Sequence, residues 1–374
     1  MTSRAEASSS STAAGSADPD PAPGGMAAVL DELVEEFLLR FPPDNPALLF
    51  RATLVCKRWR RLISDPSFHR RYREFHRSPP MLGLLYLSLV GEGSNCFYRT
   101  SASCLPIFRQ CDWEAVDSRH GRVLQKSLND LVVWNPITED RWELPPLPRY
   151  SEMCNMAVLC AGAVGSGSCD HLGCHRGPFL VVFVGTNSEM FSCVYSSEDG
   201  MWSGPTVYQH PHDDLKLLPS ALVGNALYFV MESKTKILKY NLATREISVI
   251  HLPPRSYDTY MHGHPVLVAM EGDSRLGVVT SDKFTLYLWL IEANHNGAAR
   301  WTRSKLTDLE TLLPADALFL VRVITFVDGV RLLFVMTLKG LFSIDLKSRQ
   351  TRKLLDEELD VYSVAPFMSF LIPG

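Results

Sequence analysis

Val132-Val133-Trp134-Asn135-Pro136-Ile137-Thr138, running on to Trp142 and Leu144-Pro145-Pro146, sets the pattern that decides the fold. A short β-branched and aromatic run reaches a turn signal, a second run follows, and Leu-Pro closes the unit. The phrase returns downstream. Residues 193–200 lead to Trp202, residues 238–244 lead to Ile247, Val249 and Leu252-Pro253-Pro254, residues 286–290 lead through Asn296-Gly297 to Trp301, and residues 341–348 lead to Thr351 and Lys353. With Trp134, Tyr195, Tyr240, Trp289 and Ile344 taken as equivalent, the intervals are 61, 45, 49 and 55 residues. Short strands recurring every ~40–50 residues are the signature of propeller blades. The widest interval holds the Gly-, Ser- and Cys-rich stretch Ala161–Gly177, which reads as a loop insertion. With an opening unit around Leu84–Leu105, six blades are favoured and seven allowed. A closed ring also removes the unpaired strand edges of so long an all-β chain. Met368–Leu371 is expected to supply the strand that closes it.

Further strand-like runs fill the region: Leu84–Val90, Leu131–Trp134, Phe179–Gly185, Phe191–Tyr195, Ala226–Met231, Leu276–Thr280, Phe284–Leu290, Val321–Val327, Arg331–Thr337 and Leu341–Ile344. The segment before residue 80 differs in kind. Leu30, Leu33, Val34, Phe37, Leu38 and Phe41 form one helical stripe. Asp31, Glu32, Glu35 and Glu36 occupy its other face, and Pro42-Pro43 ends it. Asp44-Asn45-Pro46 and Ser64-Asp65-Pro66 both read as a cap followed by proline at the first helical position, opening further helical pieces. Residues 1–26, nearly devoid of large apolar side chains, read as a disordered tail. A transit peptide is the competing reading, and Glu6, Asp18 and Asp20 speak against it. The expected organisation is a tail at 1–26, a helical module at 27–77 and a β domain at 78–374. A module as short as 27–77 has a marginal core, so part of its apolar stripe should be covered by a partner or by the following domain.

Residues 29–43, followed by Leu54-Val55-Cys56-Lys57-Arg58-Trp59-Arg60-Arg61-Leu62-Ile63-Ser64-Asp65-Pro66-Ser67-Phe68, strongly resemble an F-box. The likeness spans about 40 residues and departs at the start, where Val29-Leu30 stands for the family's Leu-Pro. It implies docking to the Skp-type linker subunit of a cullin–RING ubiquitin ligase. By position, Leu30, Leu33, Phe37, Leu38, Pro42, Val55, Cys56, Trp59 and Leu62 would supply that contact or its immediate support. Read from the stripe alone, the same residues equally suit the inside of a helical hairpin. Residues 133–138, Val223-Gly224-Asn225-Ala226-Leu227-Tyr228, Leu312-Leu313-Pro314 and Thr337–Phe342 resemble the domain that follows the F-box in the large plant families, especially those of grasses. That domain is similar to a Kelch-like β-propeller and is taken to recruit the protein to be ubiquitinated. The fold class expected is thus α plus all-β multidomain: a small N-terminal helical F-box followed by a β-propeller.

Other features were weighed against this reading. A net charge of −4 and a pI near 6.3 give no global pull toward nucleic acid or membrane. Residues 51–77 hold nine Lys/Arg against Asp65 and Glu74, a local +7 that would suit nucleic acid but more often marks a solvated helix face. Nine scattered cysteines and no Asn-x-Ser/Thr acceptor favour a reducing cytoplasm and/or nucleus. Cys169, His171, Cys174 and His175 crowd four zinc-type ligands into seven residues, yet no second pair follows, so no metal is expected. His210, His212, His262 and His264 read as loop residues. No Gly-x-Ser-x-Gly elbow, P-loop or dinucleotide fingerprint appears. The expectation is a non-enzymatic adaptor without catalytic residues or cofactor. Its partners would be the Skp-type subunit and an unidentified protein substrate, with no membrane and nucleic acid disfavoured.

Overall fold

The computed structural model describes residues 24–88, 96–99, 113–128, 130–163, 169, 171–209, 213–253, 264–270, 275–293, 299–356 and 361–374. Most of the expected tail lies outside them. Helix α1 (Gly24–Leu39) begins three residues before the expected boundary at Ala27. Then come α2 (Ala47–Thr53), α3 (Lys57–Ile63) and α4 (Pro66–His76). Asp65 caps α4 by accepting from the Ser67 N–H at 2.8 Å, with Pro66 at the first position as expected. The matching expectation at α2 is corrected, since Pro46 is itself the cap residue and no side chain caps the helix.

Apart from four short 3-10 turns, the regular structure in the rest of the described residues is β, in six antiparallel sheets. Strands β1 (Met81–Ser88) and β2 (Cys96–Arg99) are followed by a sheet of β3 (Glu114–Arg119), β4 (Arg122–Ser127), β5 (Asp130–Trp134) and β6 (Arg141–Glu143). The next contains β7 (Met153–Cys160), β8 (Phe179–Thr186), β9 (Met190–Ser196), β10 (Met201–Trp202) and β11 (Thr206–Tyr208). Then come β12 (Ala221–Val223), β13 (Ala226–Val230), β14 (Lys236–Asn241) and β15 (Ile247–His251). The fourth group is β16 (Val266–Met270), β17 (Arg275–Asp282), β18 (Thr285–Ala293) and β19 (Ala299–Asp308). The fifth is β20 (Arg322–Val327), β21 (Leu332–Thr337), β22 (Gly340–Asp345) and β23 (Gln350–Leu355). The last strand, β24 (Val361–Met368), returns to pair with β1, making a sheet ordered β2-β1-β24.

Each full sheet is laid down in chain order, and its first strand faces the first strand of the next. β3 meets β7, β12 meets β16, β16 meets β20, β20 meets β24, and β24 meets β3. Between β7 and the segment before β12, the Asn155 amide donates to the carbonyls of Lys216 and Leu218 at 2.7 and 2.9 Å. The ring is therefore closed, which is a propeller. Five sheets are complete blades among the described residues, and the sixth has three strands. The expected count of six blades, with seven allowed, is therefore not confirmed: five blades are complete, and the sixth sheet is assembled from both ends of the domain rather than from one repeat. The closing strand is corrected: it is Val361–Met368, and Leu371 lies beyond it. Pro366 sits within that strand, paired opposite Leu84.

Because strands alternate direction, the turns β3–β4, β7–β8 and their counterparts emerge on one face of the ring. The connections between sheets emerge on the other. The chain enters on the first face, where the Ser369 N–H donates to the Pro80 carbonyl at 3.2 Å. Phe370, nine-tenths buried, then leaves β24 and packs among Leu38, Leu49, Ile63, Phe68 and Tyr72 of the helices.

Ending the chain at residue 360 should strip β1 of its inner partner and abolish cooperative unfolding. Ending it at Met368 should leave the ring intact in circular dichroism melts. Phe370→Ala should cost the helical module about 3 kcal/mol.

Candidate partner-docking site

The helical module has a core of Leu38, Leu39, Leu49, Ala52, Ile63, Phe68 and Tyr72. The Tyr72 hydroxyl donates to the Phe41 carbonyl at 2.8 Å, and burial pushes its ionisation well above the ordinary tyrosine range. α4 is the helix turned to the propeller. Tyr72 meets the Phe370 ring edge-on at 6.2 Å, and the His69 ring nitrogen Nε2 lies 3.1 Å from the Pro373 carbonyl. Burial lowers the His69 pKa, which keeps the ring neutral at pH 7 with Nε2–H free to donate.

Away from α4 the apolar surface is open. Leu33 is 63% exposed and Phe37 53%, one turn apart on α1. Leu54 at 83% and Val55 at 64% stand in the turn between α2 and α3. The half-buried Trp59 ring lies 6.3 Å from that of Phe37 and joins the two groups into one seam. Pro42 is exposed beside it, and Leu62 is half-buried. Cys56 is exposed and caps α3, its Sγ accepting from the Trp59 N–H at 3.4 Å. Leu38 is fully buried beneath the seam, so its part is support rather than contact. The Leu30 side chain lies outside the described ones. The sequence reading did not single out Leu54, although its place at the head of the Leu-Val-Cys-Lys phrase puts it in the same turn. Large apolar side chains left this exposed on a small module are a candidate place for a protein partner.

Charge frames the seam. Arg71 pairs with Glu35 at 2.8 Å and Glu36 at 2.9 Å, Arg70 pairs with Glu74 at 3.8 Å, and Arg58 pairs with Asp31. The acidic face of α1 therefore neutralises part of the basic stretch that follows it. Lys57, Arg60 and Arg61 remain exposed at the rim.

The propeller axis holds a cavity of about 420 Å³ on the face where the helices enter, bordered by Arg77, Pro79, Arg119, Ser220, Thr325 and Phe370. Asp117 in its wall is buried and accepts from the Val158 N–H at 2.9 Å and from Arg119; burial raises its pKa although Arg119 opposes this. On the opposite face, Leu128, Tyr150, Phe319, Leu320 and Leu338 are exposed in turns and inter-sheet connections. One group of potential metal ligands occurs among the described residues: Cys160, Cys169, His171 and Cys174. Of the histidines expected to be loop residues, His210, His212 and His262 lie outside the described residues. His264 is half-buried in a connection, as expected of a loop residue, and desolvation lowers its pKa to about 4.

The profile of the family described as "F-box protein AT5G49610-like, beta-propeller" matches residues 114–373. The chain belongs to that family. An F-box-like profile matches residues 38–74 of this F-box propeller protein, beginning after the divergent Val29-Leu30 opening. No curated protein matches the chain. Among solved structures, a chain from "Crystal structure of Nidogen/Laminin Complex" is similar at 12% identity and a TM-score of 0.45. The match covers 77% of this chain and 99% of that one, and it is too loose to bear on function or blade number.

Leu33→Asp and Leu54→Asp should shift stability by no more than about 0.5 kcal/mol, as substitutions at open positions do. Leu38→Ala should cost roughly 2–5 kcal/mol. Denaturant titration of the three variants checks the assignment of seam against core.

Proposed function

We propose that this chain is the substrate-recognition adaptor of a Skp–cullin–F-box ubiquitin ligase. F-box domains generally bind Skp-type linkers, and F-box and propeller families are typically non-catalytic adaptors. The observation that carries the reading here is the open seam of Leu33, Phe37, Leu54, Val55 and Trp59, on helices that turn a different side to the propeller. The F-box resemblance adds Leu30, Pro42, Cys56 and Leu62 to the proposed contact, with Leu38 as its support. The plant, grass-type character and the Kelch-like nature of the ring belong to the same reading. So does a place in the cytoplasm and/or nucleus. Among the described residues no helix is long and apolar enough to cross a membrane.

The mechanism is proximity. The F-box fixes the chain to the ligase, and the propeller holds a target so that one of its lysines meets the ubiquitin donor at high effective concentration. Chemistry stays with the partner subunits. Linker residues Arg77 and Pro79 and tail residue Phe370 border the mouth of the axial cavity, and the opposite face, with Phe319, Leu320 and Leu338, is the one proposed for the target. Apolar anchors of this kind are what protein interfaces use at their centres. A nucleic-acid role for residues 51–77 is weakened by the pairing of Arg58, Arg70 and Arg71 with acids.

A purified Skp-type subunit should bind the wild-type chain. A Phe37→Ala/Trp59→Ala variant that remains folded by circular dichroism should bind at least about 100-fold more weakly, as loss of two hot-spot aromatics predicts. A wild-type chain that does not bind would refute the ligase reading.

A further inference from the structure

The insertion between β7 and β8 brings Cys169, His171 and Cys174 against Cys160, the last residue of β7. One ligand atom from each of the four lies within 4.8 Å of all the others. Cys160 Sγ is 3.8 Å from Cys169 Sγ, and Cys174 Sγ is 3.7 Å from His171 Nδ1. A tetrahedral zinc ion with Zn–S near 2.3 Å and Zn–N near 2.05 Å demands edges of about 3.8 Å between sulfurs and about 3.6 Å between sulfur and nitrogen. Both distances meet that demand. The three cysteines are free thiols, and 3.8 Å is far beyond the ~2.05 Å of a disulfide.

Two features around the cluster point the same way. Gly162 lies against it: a Cβ there would come within 2.9 Å of Cys169 Cβ and 3.6 Å of Cys160 Sγ, so a side chain would force the ligands apart. Arg122 is 1% exposed, and its Nη2 donates to the Cys174 carbonyl at 2.9 Å and to the Gly177 carbonyl. Its Nε and Nη1 are buried with no hydrogen-bond partner among the described residues. A buried guanidinium so placed needs a counter-charge. Three thiolates around one divalent ion carry a net negative charge, and Arg122 already contacts the main chain of the ligand Cys174.

We propose that Cys160, Cys169, His171 and Cys174 bind one zinc ion in a structural Cys3His site that clamps the β7–β8 insertion onto the F-box. Between two of the ligands, Leu172 packs into the F-box core, and Gly173 lies against the Arg73 guanidinium of α4. The metal thus holds the third strap between the two domains, beside the linker and the C-terminal tail. The soft, thiolate-rich donor set selects zinc over harder cations. No second pair is needed: Cys160, nine residues upstream of Cys169 and contributed by a blade strand, stands as fourth ligand where the sequence offered His175.

Metal analysis of the purified full-length chain should find about one zinc per chain. Cobalt(II) exchanged into the site should show the intense visible absorption of a tetrahedral thiolate centre. Cys160→Ser and Cys174→Ser should lose the metal. His171→Cys should keep it, and so should Cys193→Ser, a buried thiol of β9 outside the cluster. Removing the metal from wild type with a chelator should speed amide exchange in residues 171–177 and α4 while leaving β20–β23 protected. A folded wild-type chain that neither contains nor takes up zinc overturns the site, whatever the serine variants do. A Cys160–Cys169 disulfide found by mass spectrometry, or folded serine variants that retain zinc, would do the same. Unchanged exchange in α4 after metal removal overturns the clamp.

Discussion

The pairing of β24 with β1 is the constraint on which the rest depends. A ring of sheets built in chain order leaves one join, and an unmade join exposes two strand edges to any passing strand. Here the last strand becomes the innermost strand of the sheet begun by the first, with partners running from Met81 opposite Met368 to Ser88 opposite Val361. The same pairing fixes where the chain ends. β24 runs toward the face where the linker enters, so Ser369–Gly374 emerges beside α4 and nowhere else. Phe370 and Ile372 then complete a helical core too small to stand alone.

The F-box therefore divides its apolar surface in two. The side with Phe68 and Tyr72 is satisfied from within the chain, by the tail and by Leu172. The side with Leu33, Phe37, Leu54 and Val55 is left open. On the proposed adaptor reading, a packed inner junction would let the position of one partner determine the position of the other. The ion pairs of α1 with Arg58 and Arg71 reinforce the arrangement locally; being half-exposed, each contributes little to stability.

Much of this was legible in the residues. Trp134, Tyr195, Tyr240, Trp289 and Ile344, chosen as equivalent by phrase, each lie on the third strand of their sheet: β5, β9, β14, β18 and β22. Third strands are legible because they carry aromatic and β-branched residues up to a turn such as Asn135-Pro136 or Asn241-Leu242. In both, the Asn side chain accepts backbone N–H groups two and three residues on. Outer strands such as β6, β10 and β23 are short or polar, so the sequence marks them only by single residues such as Trp142, Trp202 and Thr351. β7 escaped for the opposite reason: Cys154–Cys160 is buried on both sides, so its Met-Cys-Asn composition shows no alternation. Missing β7 also meant missing Cys160. A four-ligand cluster drawn from a strand end and a loop is a contact in space, and spacing along the chain does not display it. Blade number failed similarly, since spacing counts repeats and cannot show that the last sheet is shared between the two ends.

The most direct test of the account is hydrogen–deuterium exchange on the full chain, alone and with a Skp-type subunit. The account predicts slowed exchange confined to residues 31–39 and 53–62, with residues 318–321 and 337–340 on the far face of the propeller unchanged. Protection of the propeller face with the helices unaffected, or no complex at all, would contradict it.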